Sequence, residues 1–170
     1  MPPQSQRAVD YRDTSFVPSW YRDPSAPEPN NPRKIGAAAL IERDGSLLLD
    51  QREDDGSWGL IAGTVEEDET VTGAVMREIQ EETGLIARSA ELFGIFSDPT
   101  RIVGYTSGNV YRVLTVVFVV SIDDGEPRAS QESLDVRFVP FEDLAKFDLT
   151  PAHRPIVDAF LARPSRVVVA

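Results

Sequence analysis

The chain has 170 residues and a formal net charge of −11 at neutral pH, from 28 acidic and 17 basic side chains. This excess of acid argues against duplex nucleic acid as a partner, because that binding draws its affinity from lysine and arginine on phosphates. A hydrophobic content of 41% suits one soluble domain, and the sequence has no cysteine, which excludes a disulfide framework and a cysteine nucleophile.

Neither a signal peptide nor a membrane span is indicated. Residues 1–9 lack an apolar core of signal-peptide length. No apolar run in the chain approaches the roughly 18 residues that a spanning helix needs. We therefore expect a cytoplasmic protein without a membrane partner.

The N-terminal segment is rich in proline. Seven of the 13 prolines lie in residues 1–32, a composition typical of an extended arm or linker. We divide the chain into an arm at 1–34, a folded domain at 35–163 and a tail at 164–170. Phe16, Trp20 and Tyr21 would let the arm lie over its own domain or build a homodimer, and a loosely ordered arm is the alternative.

The folded domain begins with two short apolar runs. Ile35–Ile41 and Leu47–Leu49 flank Arg43–Ser46, which predicts two strands joined by a hairpin turn. Trp58 follows soon after, and we expect it to be a core side chain. The next elements are a polar loop and then an uninterrupted helix.

The second half of the domain alternates strands and helices. The longest apolar run, Val110–Ile122, carries apolar residues on both faces and predicts a central strand buried on both sides. Such a sheet needs helices on each face, which predicts an α/β fold arranged as an α/β/α sandwich. The other predicted elements are strands at 89–96 and 135–140, a short helix at 141–147 and a closing helix at 151–162.

The predicted helix from Thr70 to Thr83 carries an unusual run of acid. Glu78, Glu81 and Glu82 fall at i, i+3 and i+4, so their carboxylates share one face. Like charges at this spacing cost about 0.2–0.5 kcal/mol per pair, and the negative end of the helix dipole adds to the cost.

Such a face needs a neutralising partner. The single positive charge of Arg77 cannot balance these acids. Hard divalent cations such as magnesium take carboxylate oxygens and substrate phosphates as ligands. A bound cation would also let an acidic protein accept an anionic small substrate. The alternative is a solvated acidic helix face.

The spacing around these acids matches a known motif. Gly63 is followed after five residues by Glu69 and after seven more by Arg77–Leu85, and this pattern fits every fixed position of the Nudix box. From about residue 35 to residue 162 the chain therefore resembles the Nudix hydrolases. The resemblance implies a Nudix-like α/β/α sandwich with a mixed β-sheet between helices. It also implies that water attacks a phosphorus of a nucleoside diphosphate linked to another group, with Mg²⁺ or Mn²⁺ as cofactor.

The same resemblance assigns metal ligands. Glu81 and Glu82 would bind the cations, and Glu78 would be either a third ligand or the general base. The backbone carbonyl of Ala62, just before the box glycine, would be a further ligand. Those four residues form the expected metal site.

Other box positions would support these ligands. Arg77 would orient a box glutamate, and an ordinary i,i+4 surface pair with Glu81 is the alternative. Glu69 would brace either the loop that begins at Gly63 or the arginine. The usual lead-in to the box is Pro-Gly-Gly, whereas this chain has Ile61-Ala62-Gly63, which leaves the fine shape of that loop open.

Four candidate residues lie outside the box. In the family a carboxylate from a loop beyond the central strand commonly completes the metal site or acts as the base, and Glu132 is the first candidate with Glu126 second. Arg52 would bind phosphate, and His153 would contact the substrate's base. The alternatives are a solvated loop acid for Glu132, a surface arginine for Arg52 and a surface histidine at a helix start for His153.

The sequence leaves the substrate open. Nucleoside triphosphates, ADP-ribose and nucleotide sugars all fit the resemblance, and Pro99, 14 residues past Leu85, is weak support for ADP-ribose. Two other functional classes compete with an enzyme. One is a Nudix-like module that binds a nucleotide without cleaving it, and the other is an interaction domain with an acidic helix.

Overall fold

The computed structural model describes residues 16–170, which contain strands, two α-helices and a 3-10 helix. The strands are β1 Phe16–Trp20, β2 Lys34–Leu40, β3 Glu42–Arg43, β4 Ser46–Arg52, β5 Trp58–Gly59, β6 Ile61–Thr64, β7 Ala87–Phe96, β8 Ile102–Tyr105, β9 Val110–Ile122, β10 Ser133–Pro140 and β11 Val168–Val169. The helices are α1 Val71–Thr83, the 3-10 helix Phe141–Lys146 and α2 Arg154–Leu161. None of the helices in this described range is long and apolar enough to cross a bilayer.

A mixed sheet organises the domain. Its main path is β1-β8-β9-β2-β6, with β7 paired to β9 and β11 paired to β7. Strand β9 runs parallel to β2 and antiparallel to β7 and β8, which makes it the central strand that the apolar run predicts. A smaller sheet, β10-β4-β3 with β5 on β4, packs beside it.

Strand β2 separates two hydrophobic cores, because successive side chains of a strand point to opposite faces. Ala37 and Ala39 belong to the core beneath α1, whereas Ala38 and Leu40 belong to the core beneath α2. All four are fully buried. The predicted α/β class, with a mixed sheet between helices, is therefore confirmed.

Local sequence signals explain several element ends. The predicted hairpin forms between β3 and β4, where Asp44 and Gly45 both have positive φ, 48° and 71°, as a two-residue turn of this kind requires. Helix α1 begins after Thr70, whose side chain accepts a hydrogen bond from the Gly73 N–H, and ends at Gly84 in the left-handed conformation.

One burial prediction is wrong. Val119 of β9 is 36% exposed, although both faces of this strand were expected to be buried. Helix α2 has eight residues and thus covers about 12 Å, much less than the length of a 13-residue strand. The end of β9 that carries Val119 therefore extends past its helical cover.

Both terminal segments add a strand to the mixed sheet. Strand β1 pairs antiparallel with β8, and β11 pairs parallel with β7. A strand of the sheet thus lies in the segment assigned to the arm and another in the segment assigned to the tail. Residues 1–15 of the predicted arm lie outside the described residues.

The cap at Thr70 gives a stability prediction. Thr70→Ala removes the acceptor for the Gly73 N–H, which lies 3.0 Å from the threonine oxygen, and should lower the free energy of unfolding by about 1 kcal/mol. Thr106→Ala, at an exposed turn position, is the matched control and should change it by less than about 0.5 kcal/mol. Urea denaturation measures both, and equal losses would contradict a capping role for Thr70.

Candidate active site

A pocket of about 370 Å³ crosses the mixed sheet. It is lined by residues of β1, β8, β9, β2 and β6, which follow one another across the sheet, and by the pocket-facing side of α1. Loop and helix-start residues near positions 132 and 150–153 complete its wall. This pocket receives most of the residues that the sequence singles out.

The three box glutamates of α1 all line the pocket. Glu78 is nearly buried at 13% exposed, whereas Glu81 at the rim is 60% exposed. Glu82 is also partly buried and accepts a hydrogen bond from the Ala62 N–H at 3.3 Å. The i, i+3, i+4 spacing thus brings three carboxylates to one concave surface.

Arg77 joins these acids to the preceding loop. Its guanidinium donates to Glu69 at 2.6 and 3.1 Å, to Glu78 at 2.7 Å and to Glu81 at 3.1 Å. It also donates to the Thr64 carbonyl at 3.1 Å. The pKa of Arg77 is raised, mainly by the Glu69 hydrogen bonds. This arginine makes far more than the i,i+4 surface pair with Glu81.

Glu69 fixes both the arginine and the loop. Its two oxygens accept from Arg77, and one of them also accepts from the Glu66 N–H at 2.9 Å. The hydrogen bond from Arg77 is the main reason that the pKa of Glu69 is lowered. The position that the sequence assigns to bracing therefore contacts both the arginine and the loop.

Gly63 leaves room for the Glu78 carboxylate. A methyl group at this position would overlap the carboxylate, so any other residue would force Glu78 to move. At the neighbouring position, Ala62 replaces the usual glycine, yet its contribution here is a backbone N–H given to Glu82. That contact uses the backbone, so alanine can make it as well as the usual glycine can.

Burial raises the pKa of two box carboxyl groups, those of Glu82 and Glu78, and neighbouring acids add to the shift. The pKa of Glu82 lies well above its usual range, because of burial first and then the charges of Glu78 and Asp50. The pKa of Glu78 is raised by burial, although Arg77 acts in the opposite direction. Both carboxylates are therefore harder to ionise here than a free glutamate.

Asp50 is an acid that the sequence analysis missed. It lies in β4 directly after three fully buried leucines, and it is itself only 8% exposed. Its Oδ1 atom has no hydrogen-bond partner, and burial raises the pKa of its carboxyl. The only sequence signal for a buried Asp50 is that it directly follows a buried apolar run. The same pattern is found where a strand ends at the surface, so it does not predict burial.

The candidates outside the box divide into two groups. Arg52 and Glu132 line the pocket, and Arg52 also forms a two-point ion pair with Asp54 at 2.7 and 3.0 Å. Glu132 is exposed at the pocket rim. Glu126 does not line this pocket and instead pairs with Arg43 at 3.6 Å.

His153 lies in the pocket wall and is partly buried, so it is not the surface histidine of the alternative. Its Nδ1 atom accepts a hydrogen bond from the Leu60 N–H at 3.1 Å. Burial lowers the pKa of His153 to about 3, and the charges of Arg101 and Arg52 act in the same direction. Trp58 is half-buried and packs edge-on against Phe147 beside the core beneath α2.

The opposite end of the pocket was not predicted. Lys34 is 3% exposed and donates to the Tyr105 hydroxyl at 3.0 Å. Ser19 and Thr150 share a hydrogen bond of 2.7 Å although they stand 131 residues apart in the chain. Contacts over such a separation leave no local signal in the sequence.

The donor chemistry fits a hard divalent cation. Carboxylate and carbonyl oxygens of Glu78, Glu81, Glu82 and Ala62 border one pocket, and these are ligands that magnesium and manganese accept. In residues 16–170 no three acidic or histidine side chains already surround a single point. Arg77 holds Glu78 and Glu81 while Glu82 faces Ala62, so a cation would compete with the arginine for two of its ligands.

Comparisons with known proteins agree with the motif. The NUDIX domain family model matches residues 31–160. An ADP-ribose pyrophosphatase of Methanocaldococcus jannaschii is 33% identical over 130 residues, covering 75% of this chain and 72% of that protein. The nucleoside triphosphatase NudI of Escherichia fergusonii is 35% identical over 125 residues, covering 68% of this chain and 87% of that protein. Among solved structures, a MutT Nudix hydrolase of Burkholderia pseudomallei has a TM-score of 0.61 and 30% identity over 76% of this chain and 98% of that chain.

The close approach of Gly63 and Glu78 is testable. Gly63→Ala should displace the Glu78 carboxylate and weaken Mn²⁺ binding about tenfold, the order found when groups that orient metal ligands are changed. Gly125→Ala is the control, because a methyl group there meets Leu85 at an ordinary 3.4 Å. Calorimetric Mn²⁺ titrations compare the two variants, and equal affinities would contradict the assignment.

The raised pKa of Glu82 predicts how stability depends on pH. Between the usual carboxyl pKa and the raised one, the folded protein keeps a proton that the unfolded chain releases, so stability falls as pH rises. Glu82→Gln removes this titrating group, so without divalent cations the free energy of unfolding of the variant should fall less steeply with pH above the usual carboxyl pKa than that of the unchanged protein. Urea denaturation in a chelator over a pH series tests this, and parallel pH profiles would contradict it.

Proposed function

This chain belongs to the Nudix hydrolase family, and from that premise we propose that it is a metal-dependent pyrophosphohydrolase. Its substrate would be a nucleoside diphosphate linked to another group. Water attacks one phosphorus of the anhydride, the bridging oxygen leaves with the other phosphorus, and the proton of the water passes to a base. One observation carries this proposal: Glu78, Glu81 and Glu82 share a pocket with the Ala62–Gly63 loop, and Arg77 contacts two of the three.

Glu81, Glu82, Glu78 and the Ala62 carbonyl would hold Mg²⁺ or Mn²⁺. When bound, such cations stabilise charge on the non-bridging phosphate oxygens and lower the pKa of water. The raised pKa of Glu82 supports this role, because burial and then the charges of Glu78 and Asp50 disfavour its ionised form, which a bound cation would stabilise. The hydrogen bonds between Arg77 and Glu69 would hold α1 and the loop in fixed positions while the carboxylates bind the cations.

Two residues would meet the substrate. Arg52 lines the same pocket as the glutamates and pairs with Asp54, and we expect its guanidinium to bind a phosphate of the substrate. His153 accepts the Leu60 N–H at Nδ1 and has a pKa of about 3, so it is neutral at neutral pH. The neutral ring carries its proton on Nε2, and it would contact the substrate as a hydrogen-bond donor rather than as a cation.

Glu78 and Glu132 are the two candidates for the base. Burial raises the pKa of Glu78 toward the range that suits a general base. Glu132 stands exposed at the pocket rim, where a proton passes readily to solvent. The pH dependence of activity in their glutamine variants separates them.

The relatives suggest which substrates to test first. One is an ADP-ribose pyrophosphatase and another a nucleoside triphosphatase, so both substrate classes stay open for this chain. The net charge of −11 supports a small nucleotide rather than duplex nucleic acid. A homodimer built by the arm and a cytoplasmic location stay predictions.

A nucleotide-binding module without catalysis is less well supported. Such a module has no need for an intact set of acids, whereas this chain keeps Arg77, Glu78, Glu81 and Glu82 in one connected site. An interaction domain with an acidic helix would not require partly buried carboxylates such as Glu78 and Glu82.

The proposal predicts cleavage of at least one nucleotide by the purified protein. A panel of nucleoside triphosphates, ADP-ribose and nucleotide sugars with Mg²⁺ or Mn²⁺ should give products that chromatography identifies. Glu81→Gln and Glu82→Gln should each lower kcat/KM by about a hundredfold or more while the protein stays folded, since each removes a charged metal ligand.

Two controls make this result specific. Glu142→Gln, an exposed acid of the 3-10 helix, should keep full activity. Comparing pH–rate profiles of Glu78→Gln and Glu132→Gln then shows which variant loses the acidic limb, the rise of rate with pH that reports deprotonation of the general base. Full activity in both Glu81→Gln and Glu82→Gln would overturn the assigned roles.

A further inference from the structure

Asp50 is a buried acid to which the proposed function gives no role. It lies in β4 between β10 and β5, where Val136 and Gly59 are the residues paired with it. The residue is 8% exposed, and within residues 16–170 its Oδ1 atom has no hydrogen-bond partner. A buried carboxylate oxygen without a partner costs free energy, so its presence calls for a functional explanation.

The alternation of β4 places Asp50 on the side of the strand that faces α1. Leu48, two residues earlier, belongs to the core beneath α1, and Arg52, two residues later, lines the pocket. Side chains two residues apart in a strand share one face. Asp50 therefore lies between the core beneath α1 and the pocket.

Asp50 and Glu82 are both attached to the short segment from Gly59 to Ala62. Gly59 pairs with Asp50 across β4 and β5, and three residues later the Ala62 N–H donates to Glu82 at 3.3 Å. The charge of Asp50 accordingly adds to the raised pKa of Glu82, after burial and the charge of Glu78. Asp50 does not itself line the pocket, so any effect on a bound group passes through a neighbour such as Glu82.

A purely structural role for Asp50 is the alternative. Burial raises the pKa of Asp50, while a hydrogen bond from Ser133 and the charge of Arg52 act in the opposite direction. Ser133 begins β10 and pairs with Arg52, so its contact with Asp50 would fasten β10 to β4. An asparagine would accept the same hydrogen bond without burying a charge. The structural role therefore does not explain why this position carries an acid.

We propose that Asp50 is a positioning residue of the cation site, which strengthens the hold of Glu82 on a divalent cation by placing a buried negative charge next to that ligand. This inference rests on the proposed function and adds to it a residue outside the Nudix box. Two neighbouring buried acids repel each other, and a divalent cation bound to one of them is attracted by both. Residues that contact metal ligands commonly affect metal affinity in this indirect way.

The test measures cation binding without nucleotide and without turnover. Mn²⁺ titrations followed by electron paramagnetic resonance compare the full chain with Asp50→Asn, which keeps the size of the side chain and removes its charge. The variant should bind Mn²⁺ about tenfold more weakly, the order found for partners of metal ligands. If Asp50→Asn does not fold, Asp50→Thr, a small residue suited to a strand, takes its place with the same expectation.

Two matched variants separate the charge of Asp50 from local disturbance. Glu53→Gln removes one negative charge three residues away at an exposed position outside the pocket, and it should leave Mn²⁺ affinity unchanged because solvent and salt screen such charges. Ser133→Ala removes the hydroxyl beside Asp50 but keeps the carboxylate, and it should also leave the affinity unchanged. Equal losses in Ser133→Ala and Asp50→Asn would assign Asp50 a structural role and overturn the inference.

Stability gives a second readout, because a ligand that binds only the folded protein raises the urea midpoint according to its affinity. Without divalent cations, Asp50→Asn should be at least as stable as the unchanged protein, since it removes a buried charge. Added Mn²⁺ should raise its urea midpoint by less than that of the unchanged protein. A lower midpoint in the variant with an undiminished Mn²⁺ shift would contradict the proposal.

The outcomes separate this inference from the proposed function. Unchanged Mn²⁺ affinity in folded Asp50→Asn would overturn the inference, even if the protein hydrolyses nucleotides. Weaker Mn²⁺ binding in Asp50→Asn, together with no hydrolysis of any nucleotide by the unchanged protein, would uphold the inference and overturn the proposed function.

Discussion

The site depends on an electrostatic conflict that the fold imposes. Glu78, Glu82 and Asp50 are held in a partly buried region, where burial raises the pKa of each and neighbouring carboxylates add to the shift, Glu78 and Asp50 doing so for Glu82. Arg77 relieves part of this conflict and binds three acids at once, with Glu69 making the largest contribution to its raised pKa. A folded protein keeps such an arrangement at a cost in stability, which is typical of functional sites.

The side chains that line the pocket differ between its two halves. Strand β6 and α1 bring a backbone loop and carboxylates together, and Gly63 permits their close approach. Across β2 and β9 the lining changes to Lys34, tyrosine and hydroxyl side chains. The family assignment accounts for the chemistry of the first half. The second half includes Ser19 from β1, which lies outside residues 31–160, the part of the chain that matches the family model.

Local patterns predicted the parts that depend on neighbouring residues. Helix α1, the turn at Asp44–Gly45 and the strand at Val110–Ile122 follow from caps, turn residues and alternation within short windows. The burial of Asp50 and the part of the pocket around Lys34 could not be predicted, because their surroundings come from strands distant in sequence. The prediction that Val119 is buried was wrong for a related reason, since its exposure depends on how far α2 extends over β9.

The central claim is that divalent cations join the box glutamates to a nucleotide. The most direct measurement is anomalous X-ray diffraction from crystals grown with Mn²⁺ and a non-hydrolysable nucleotide. The account predicts anomalous peaks within bonding distance of Glu81, Glu82 and the Ala62 carbonyl, with the phosphates completing the coordination. Nucleotide bound in the pocket with no manganese at these oxygens would contradict it.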